Sequence, residues 1–251
     1  MSLSASPLPP EAVHPTVPSA QEADDGPGHG SPAEAVSAGV RAQILATEHW
    51  SLLATRSMTW SEVMSRIAIH LTVASASLVV LALFAQHSGF GGAFRVMAIG
   101  LAAAVLVMGI LTQARVINAS VDDGSAILGM NRLRAAYLEI DPSLAPYFVT
   151  SSHDDQQGLM DTYLMGWPRS TFSHVLASTT MFMTVFNAIV AGALGALVSG
   201  AAGAQPAVIA VVGSLVGLGF VAGEILVGQR TFGSLRQPSR FPTPRQSRTG
   251  P

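Results

Sequence analysis

Four long apolar segments constrain this chain more than any other feature of its sequence. They extend over about residues 67–85, 96–112, 175–199 and 206–227. About 20 apolar residues at a rise of 1.5 Å each cross the roughly 30 Å hydrocarbon core of a bilayer. The segments also lack the polar face that a helix on a soluble core would show. The sequence therefore predicts an all-α, polytopic membrane protein with four transmembrane helices in two hairpins.

The composition agrees with a membrane protein and excludes several functions. Charged residues make up 11% of the 251 residues, less than half of the roughly 25% usual in soluble domains. The formal net charge of −2 gives no basic surface for nucleic acid. Cysteine and lysine are both absent, which excludes disulfides, thiolate ligands and Schiff-base chemistry. The pattern indicates no cofactor.

The arginines predict the orientation in the membrane, because cytoplasmic loops retain positive charge during insertion. Arg95 is alone in the two short hairpin loops, whereas the other twelve arginines share the opposite side. Both termini and the segment between the hairpins are therefore expected in the cytoplasm of a cell whose inner membrane this protein spans.

The chain divides into six parts on this basis. They are an acidic, Pro-rich and disordered tail (1–30), a cytoplasmic helix (31–59), a first transmembrane hairpin (60–115), a cytoplasmic helical segment (116–171), a second hairpin (172–228) and a basic, Pro-rich and disordered tail (229–251). Ser31-Pro32-Ala33-Glu34 predicts one helix start and Thr59-Trp60-Ser61-Glu62 a second one, with a break in between.

The middle segment carries most of the polar residues. Apolar residues at three- and four-residue spacing from Ile127 to Ile140 predict a helix that ends at Asp141-Pro142. A compact turn or a one-turn helix is expected next, followed by a short helix with Ser152 as N-cap and Asp155 at its third position.

A resemblance accompanies these residues. The stretches Glu48–Ser57, Gly129–Ile140 and Pro146–Asp155 resemble a family of bacterial four-span integral membrane proteins without an established activity. The resemblance covers about residues 45–230, implies a bacterial origin, and adds little about mechanism.

His153, Asp154 and Asp155 form the one polar cluster with possible chemistry. Imidazole and carboxylate groups can bind Mg²⁺, Mn²⁺ or Zn²⁺. Successive helical residues point about 100° apart, however, so the three cannot converge if they lie within a helix. Helix capping is the favoured interpretation, and we expect no metal. The motifs GxGxxG, GxxxxGK[ST], HExxH and GxSxG do not occur, and no catalytic residue is predicted.

The spans contain small residues that allow helices to approach closely. Gly213 with Gly217 and Gly219 with Gly223 repeat at four-residue spacing in the fourth span. Asn187 in the third span is interpreted as a packing residue, because a single amide rarely makes a permeation pathway.

Glu224 lies about one turn inside the predicted cytoplasmic end of the fourth span. An interfacial ion pair with Arg230 or Arg169 is the default interpretation. Protonation, cation binding and a partnership with His70 are the alternatives.

The sequence leaves three classes of function open. The favoured one is a homo-oligomeric scaffold, sensor or pore-like effector that acts through its cytoplasmic helices. The alternatives are a small transporter and a membrane-anchored, metal-dependent enzyme that uses the region of His153. The bilayer is the expected partner, and the five arginines of the basic tail suggest contact with anionic headgroups.

Overall fold

The computed structural model describes residues 32–165, 178–233 and 238–244. Every regular element in these ranges is a helix, and four of the helices are long and apolar enough to cross a membrane. The predicted all-α, polytopic fold with four spans is therefore confirmed. The acidic N-terminal tail lies outside the described residues.

Helix α1 extends without interruption over Pro32–Ser88. The break predicted before Trp60 is wrong, because residues 40–88 contain neither glycine nor proline and the preceding helix already satisfies the amides that Thr59 would cap. The helix ends where Gly89 adopts a left-handed conformation with φ of 63°, which glycine accepts without steric cost.

Helix α2 extends over Gly92–Ile140, so the second span continues directly into the predicted middle segment. Asp141 ends it, because the residue before a proline disfavours helical geometry. The same side chain caps the 3₁₀ helix Pro142–Tyr147 by accepting a bond from the Ser143 amide. Both the end of α2 and the one-turn helix agree with the sequence.

Helix α3 extends over Gln156–Leu164, and its N-cap is Asp155. The predicted N-cap, Ser152, is wrong by three residues. Asp155 takes this position because its side chain accepts a hydrogen bond of 2.8 Å from the amide of Gly158, the bond that defines a capping side chain.

Helices α4, Thr179–Ala201, and α5, Pro206–Gly233, form the second hairpin. Gly203 has a φ of 81° in the turn between them. The backbones of α1 and α2, of α2 and α4, and of α4 and α5 pack against each other. Among the described residues α1 and α5 share no such contact, so the two outer helices lie on opposite sides of the α2–α4 pair.

A polar helical layer continues the bundle at one end. It contains the N-terminal part of α1, the C-terminal part of α2, the 3₁₀ helix and α3. Arg41 of α1 pairs with Glu139 of α2 at 2.8 Å, and Arg115 of α2 pairs with Glu62 of α1 at 2.8 Å. These pairs join the two long helices along the layer.

The basic tail differs from its prediction. Residues 229–251 were expected to be disordered, but α5 continues to Gly233 and residues 238–244, here called the C-terminal segment, lie against the helical layer. Hydrogen bonds to Asp154 and Asp155, which the composition of the tail could not reveal, fix the C-terminal segment.

Candidate functional site

Asp154 binds the C-terminal segment through its carboxylate. Ser239 Oγ donates to Asp154 Oδ1 at 2.6 Å and the amide of Phe241 donates to the same oxygen at 2.8 Å, while the amide of Arg240 donates to Oδ2 at 3.0 Å. In return, the Asp154 amide donates to the carbonyl of Phe241 at 3.2 Å. The two stretches of backbone are therefore joined through both main chain and side chain.

Asp155 and Arg132 extend this contact at its two ends. The Thr243 amide and hydroxyl donate to the Asp155 carboxylate at 2.6 and 2.9 Å. Arg132 Nε donates to Asp154 Oδ2 at 2.5 Å, and Arg132 Nη2 donates to the carbonyl of Pro238 at 3.2 Å. One arginine thus neutralises Asp154 and holds the start of the C-terminal segment.

The Asp154 side chain is fully buried, yet it stays ionised. Burial by itself disfavours the charge, but the hydrogen bonds from Ser239, Arg240, Arg132 and Phe241 outweigh that effect and hold the pKa of the carboxyl well below its ordinary value. The pKa of Asp155 is lowered for the same reason, since Gly158 and Thr243 donate to it against the effect of burial.

Asn131 fixes the loop that presents Asp154. Its amide nitrogen donates to the carbonyls of His153 and Gly158 at 2.8 and 3.1 Å, and its oxygen accepts from Arg134 and Thr162. Asn131 is completely buried, so one amide on α2 determines where the 153–158 turn lies. A Cβ on Gly158 would approach the His153 carbonyl oxygen to 2.0 Å, and only glycine fits there.

An open cleft of about 380 Å³ lies between α2, the turn before α3 and the C-terminal segment. Phe241 and Pro242 form one wall, and Leu138 and His153 lie among the residues that form the rest. The C-terminal segment therefore supplies part of the wall of the cleft.

The predicted cluster of His153, Asp154 and Asp155 is thereby divided into three roles. Asp155 caps α3 as expected of an acidic residue at a helix start, Asp154 binds the C-terminal segment, and His153 lines the cleft. Within residues 32–165, 178–233 and 238–244, no group of three His, Cys, Asp or Glu side chains has the arrangement of a metal site.

Asp123 is a second ionic centre, which the sequence did not single out. Its side chain is 3% exposed and accepts from Arg56, from Trp60 Nε1 at 2.8 Å and from the Tyr163 hydroxyl at 2.7 Å. Burial and the adjacent carboxylate raise the pKa of the Tyr163 hydroxyl, so it remains a donor. The four-residue spacing of Arg56 and Trp60 on α1 was the available signal.

The predicted packing glycines fall on two different surfaces. A Cβ on Gly213 or Gly217 would lie 3.0 Å from a carbonyl oxygen of α4, that of Gly192 or Ala188, so these two glycines allow α4 and α5 to approach closely. At Gly219 and Gly223 nothing in the described chain lies within 4 Å of the same position. They face away from α4.

Asn187 and Glu224 both place polar atoms inside the bundle. Asn187 is completely buried beside Gly109 and His70, and both of its amide atoms are without hydrogen-bond partners among the described residues. No arginine in the described part of the chain pairs with Glu224; Arg169, one of its predicted partners, lies outside that part.

Comparison with known proteins gives no match. No family model, no curated protein and no solved structure is significantly similar to this chain.

Proposed function

We propose that this chain is a homo-oligomeric sensor or scaffold of a bacterial cytoplasmic membrane, and that its helical layer recognises an extended peptide at Asp154. The observation that supports this proposal is the binding of Ser239, Arg240 and Phe241 by one buried carboxylate. In the resting protein the C-terminal segment occupies the peptide site.

The contact has the form of peptide recognition. Two of the three bonds that the C-terminal segment donates to Asp154 come from main-chain amides, which any sequence can supply. The Ser239 hydroxyl and the Phe241 ring, which lines the cleft, add selectivity through a donor and an apolar side chain. A competing partner would therefore offer a hydroxyl residue two positions before an aromatic one.

Because the C-terminal segment is covalently attached to the chain, a competing peptide replaces it at Asp154 only above a certain concentration. A segment joined to its site through a short linker experiences an effective concentration of about millimolar. A partner must therefore bind more tightly than the C-terminal segment or arrive at a high local concentration, as it does on a membrane. Such a threshold suits a sensor.

The sidedness of the layer is part of the proposal. Arg132 contacts Pro238, and Arg41 contacts Glu139, so the start of α1, the end of α2 and the C-terminal segment share one end of the bundle. Twelve of the thirteen arginines belong to the parts of the chain predicted on this side. The positive-inside rule assigns that end to the cytoplasm.

Homo-oligomerisation is supported by the large unburied surface of helix α5. In its most apolar window, 6% of the residues are buried inside the chain, and Gly219 and Gly223 face outward. Glycines at four-residue spacing on a lipid-facing helix favour close approach of a second helix. A second copy of α5 is the partner that the chain itself supplies.

Distance measurements between two spin labels test the peptide site. The chain contains no cysteine, so Tyr147→Cys and Pro244→Cys, both at exposed positions, would be the only labelled sites. We expect a short and narrow distance distribution, which broadens when a peptide of residues 236–247 is added at about millimolar concentration. A scrambled peptide is the control.

Two outcomes would contradict the proposal. A broad distribution without peptide would show that the C-terminal segment does not dock. A narrow distribution that the matched peptide leaves unchanged would show that the segment is a permanent part of the layer and that no exchange takes place.

A further inference from the structure

The membrane-spanning bundle contains buried polar atoms that its own fold does not satisfy. Among the described residues, six buried side-chain atoms are without a hydrogen-bond partner, and they belong to His70, Gln113, Asn187 and Glu224. All four residues lie in helices that could cross the membrane. Hydrocarbon offers such atoms no partner. Each of them is therefore a place where a bound ligand would supply the missing hydrogen-bond partner.

Gln113 is the most informative of the four. It is 1% exposed, and its amide nitrogen donates to Thr184 Oγ1 at 2.9 Å and to the carbonyl of Thr180 at 3.3 Å. Both contacts lead to α4, whereas the Oε1 atom has no partner among the described residues. The orientation of the side chain therefore leaves a fixed carbonyl oxygen in the bundle.

Glu224 supplies a second oxygen from α5. The amide of Gln113 contacts its carboxyl group, and Glu224 Oε2 is buried with no partner in the described residues. On α2, Arg115 is engaged by Glu62 and Asp122. On α5, Arg230 lies six positions further along, and α4 carries no charged residue. The carboxyl group thus has no described cationic neighbour.

Gln113 Oε1 and Glu224 Oε2 are both buried acceptors that lack a donor among the described residues, and a cation between them would satisfy both. We propose that Glu224 Oε2 and Gln113 Oε1 bind a monovalent cation, H⁺ or Na⁺, where α2, α4 and α5 meet. Carboxylate and amide-carbonyl oxygens are the ligands that hard cations prefer. A proton on Glu224 has the same effect, because it converts an acceptor into a donor.

The charge and the positions of the ligands favour a monovalent ion over a divalent one. One carboxylate neutralises one positive charge, and a second charge in the membrane interior would be left uncompensated. His70 cannot complete a divalent site with Glu224, because it lies on α1, whose backbone makes no close contact with that of α5. His70 and Asn187 instead lie beside Gly109, one helical turn before Gln113 on α2.

Modification by dicyclohexylcarbodiimide tests the site in the full chain. This reagent adds to a protonated carboxyl group in apolar surroundings, and a cation bound to the carboxylate slows the reaction. The protein would be labelled in phosphatidylcholine nanodiscs, in choline chloride or sodium chloride, between about pH 5 and pH 9. Mass spectrometry of the Glu224 peptide would give the rate.

The two cations predict different results. If Na⁺ binds, sodium chloride at about ten times its Kd slows labelling about tenfold relative to choline chloride, because only the empty site reacts. If H⁺ is the ligand, labelling decreases with rising pH equally in both salts. Glu139, exposed on the helical layer, is the carboxyl control and should remain unlabelled.

The variant Gln113→Leu tests whether the amide is part of the site. We expect it to abolish the protection by Na⁺ or, for a proton site, to move the pH midpoint of labelling. If this variant does not assemble, Thr184→Val replaces it in the experiment. That substitution keeps the side-chain volume and removes the hydroxyl that accepts from the Gln113 amide. A Glu224 that is never labelled, or labelling that the assembled variant leaves identical to the wild type, would overturn the proposal.

Discussion

Asp154 connects parts of the chain that are far apart in the sequence. Its carboxylate accepts bonds from Ser239, Arg240 and Phe241, which follow it by 85, 86 and 87 positions. Arg132 supplies the compensating charge from α2. A buried carboxylate with this many donors contributes to stability as long as they remain in place, and it becomes a large cost when one is removed.

Replacing Asp154 by asparagine should release the C-terminal segment. The substitution removes the negative charge. It also replaces one of the carboxylate oxygens, which accept from main-chain amides, by an NH₂ group that can only donate. Each hydrogen bond to a charged group contributes about 1.5–3 kcal/mol, so we expect docking to weaken by at least about 2 kcal/mol, or roughly 30-fold. The spin-label distances would measure this. Asp161→Asn, at an exposed position of α3, is the matched control and should leave them unchanged.

The lowered pKa of Asp154 predicts the pH range in which the C-terminal segment docks. The ordinary pKa of an aspartate is 3.8, and docking places it below that value. The contribution to docking is therefore complete above the ordinary pKa and is lost as the pH falls through the docked one. We expect the segment to stay bound from neutral pH to about pH 4, and its binding to weaken progressively as the pH falls further toward the docked pKa. Release between pH 7 and pH 5 would contradict this assignment.

Gly158 should not tolerate a side chain. A Cβ there would lie 2.0 Å from the His153 carbonyl oxygen, which also accepts from Asn131. We expect Gly158→Ala to shift the turn that carries Asp154, and to cost about 1–3 kcal/mol of stability as other overpacked sites do. Hydrogen exchange of the backbone amides of residues 153–158 would measure this loss of stability. Gly129→Ala, where the nearest atom is the end of the Leu52 side chain at 3.1 Å, is a milder comparison.

At the scale of elements, local signals predicted the helices well and contacts between distant residues poorly. Hydropathy predicted the four spans, and Asp141-Pro142 predicted the end of α2, because both depend on neighbouring residues. The break before Trp60 was wrong because a capping motif is equally compatible with a helix that is already formed. The docking of residues 238–244 was not predicted, because a Pro- and Arg-rich composition gives no sign of a distant carboxylate.

The two glycine pairs of α5 should respond differently to leucine. Gly217→Leu would force α5 away from the Ala188 carbonyl, which a Cβ would already approach to 3.0 Å, and should lower the unfolding free energy by about 1–3 kcal/mol. Thermal unfolding in detergent would measure this. Gly219→Leu, where the space is open, is the matched control for packing within the chain.

The same control variant tests association between copies. If α5 helices from two copies meet at Gly219 and Gly223, Gly219→Leu should change the size in detergent while leaving the melting of the single chain unaffected. Wild-type melting of Gly217→Leu would contradict the α4–α5 contact. Wild-type size of Gly219→Leu would contradict association through this face.

At the scale of the whole molecule, the orientation is open to a direct test. We expect the layer and both termini in the cytoplasm, because twelve of the thirteen arginines belong to the parts of the chain predicted there. A phosphatase reporter that is active only outside the cytoplasm should be inactive when fused after Arg134 and active when fused after Gly89. The reverse pattern would contradict the assignment.

Docking of the C-terminal segment should also limit its contact with lipid. Arg240 is exposed in the docked segment, but its main chain is held by Asp154. Each arginine near an anionic leaflet contributes about 1 kcal/mol, and salt screens this attraction over roughly 8 Å. We therefore expect Asp154→Asn to bind vesicles with anionic lipid more strongly than the wild type, and only at low salt. Equal binding to neutral vesicles would contradict an electrostatic contact.

The unbroken length of α1 has a mechanical consequence. Its 57 residues give a rod of about 85 Å, of which a bilayer core takes up about 30 Å. The remaining length acts as a lever arm, so a change in tilt of about 5° inside the bilayer moves the far end by roughly 5 Å. Thickness, tension or curvature of the lipid could thus be transmitted as strain to the Arg41–Glu139 pair. No hinge in α1 would absorb that motion.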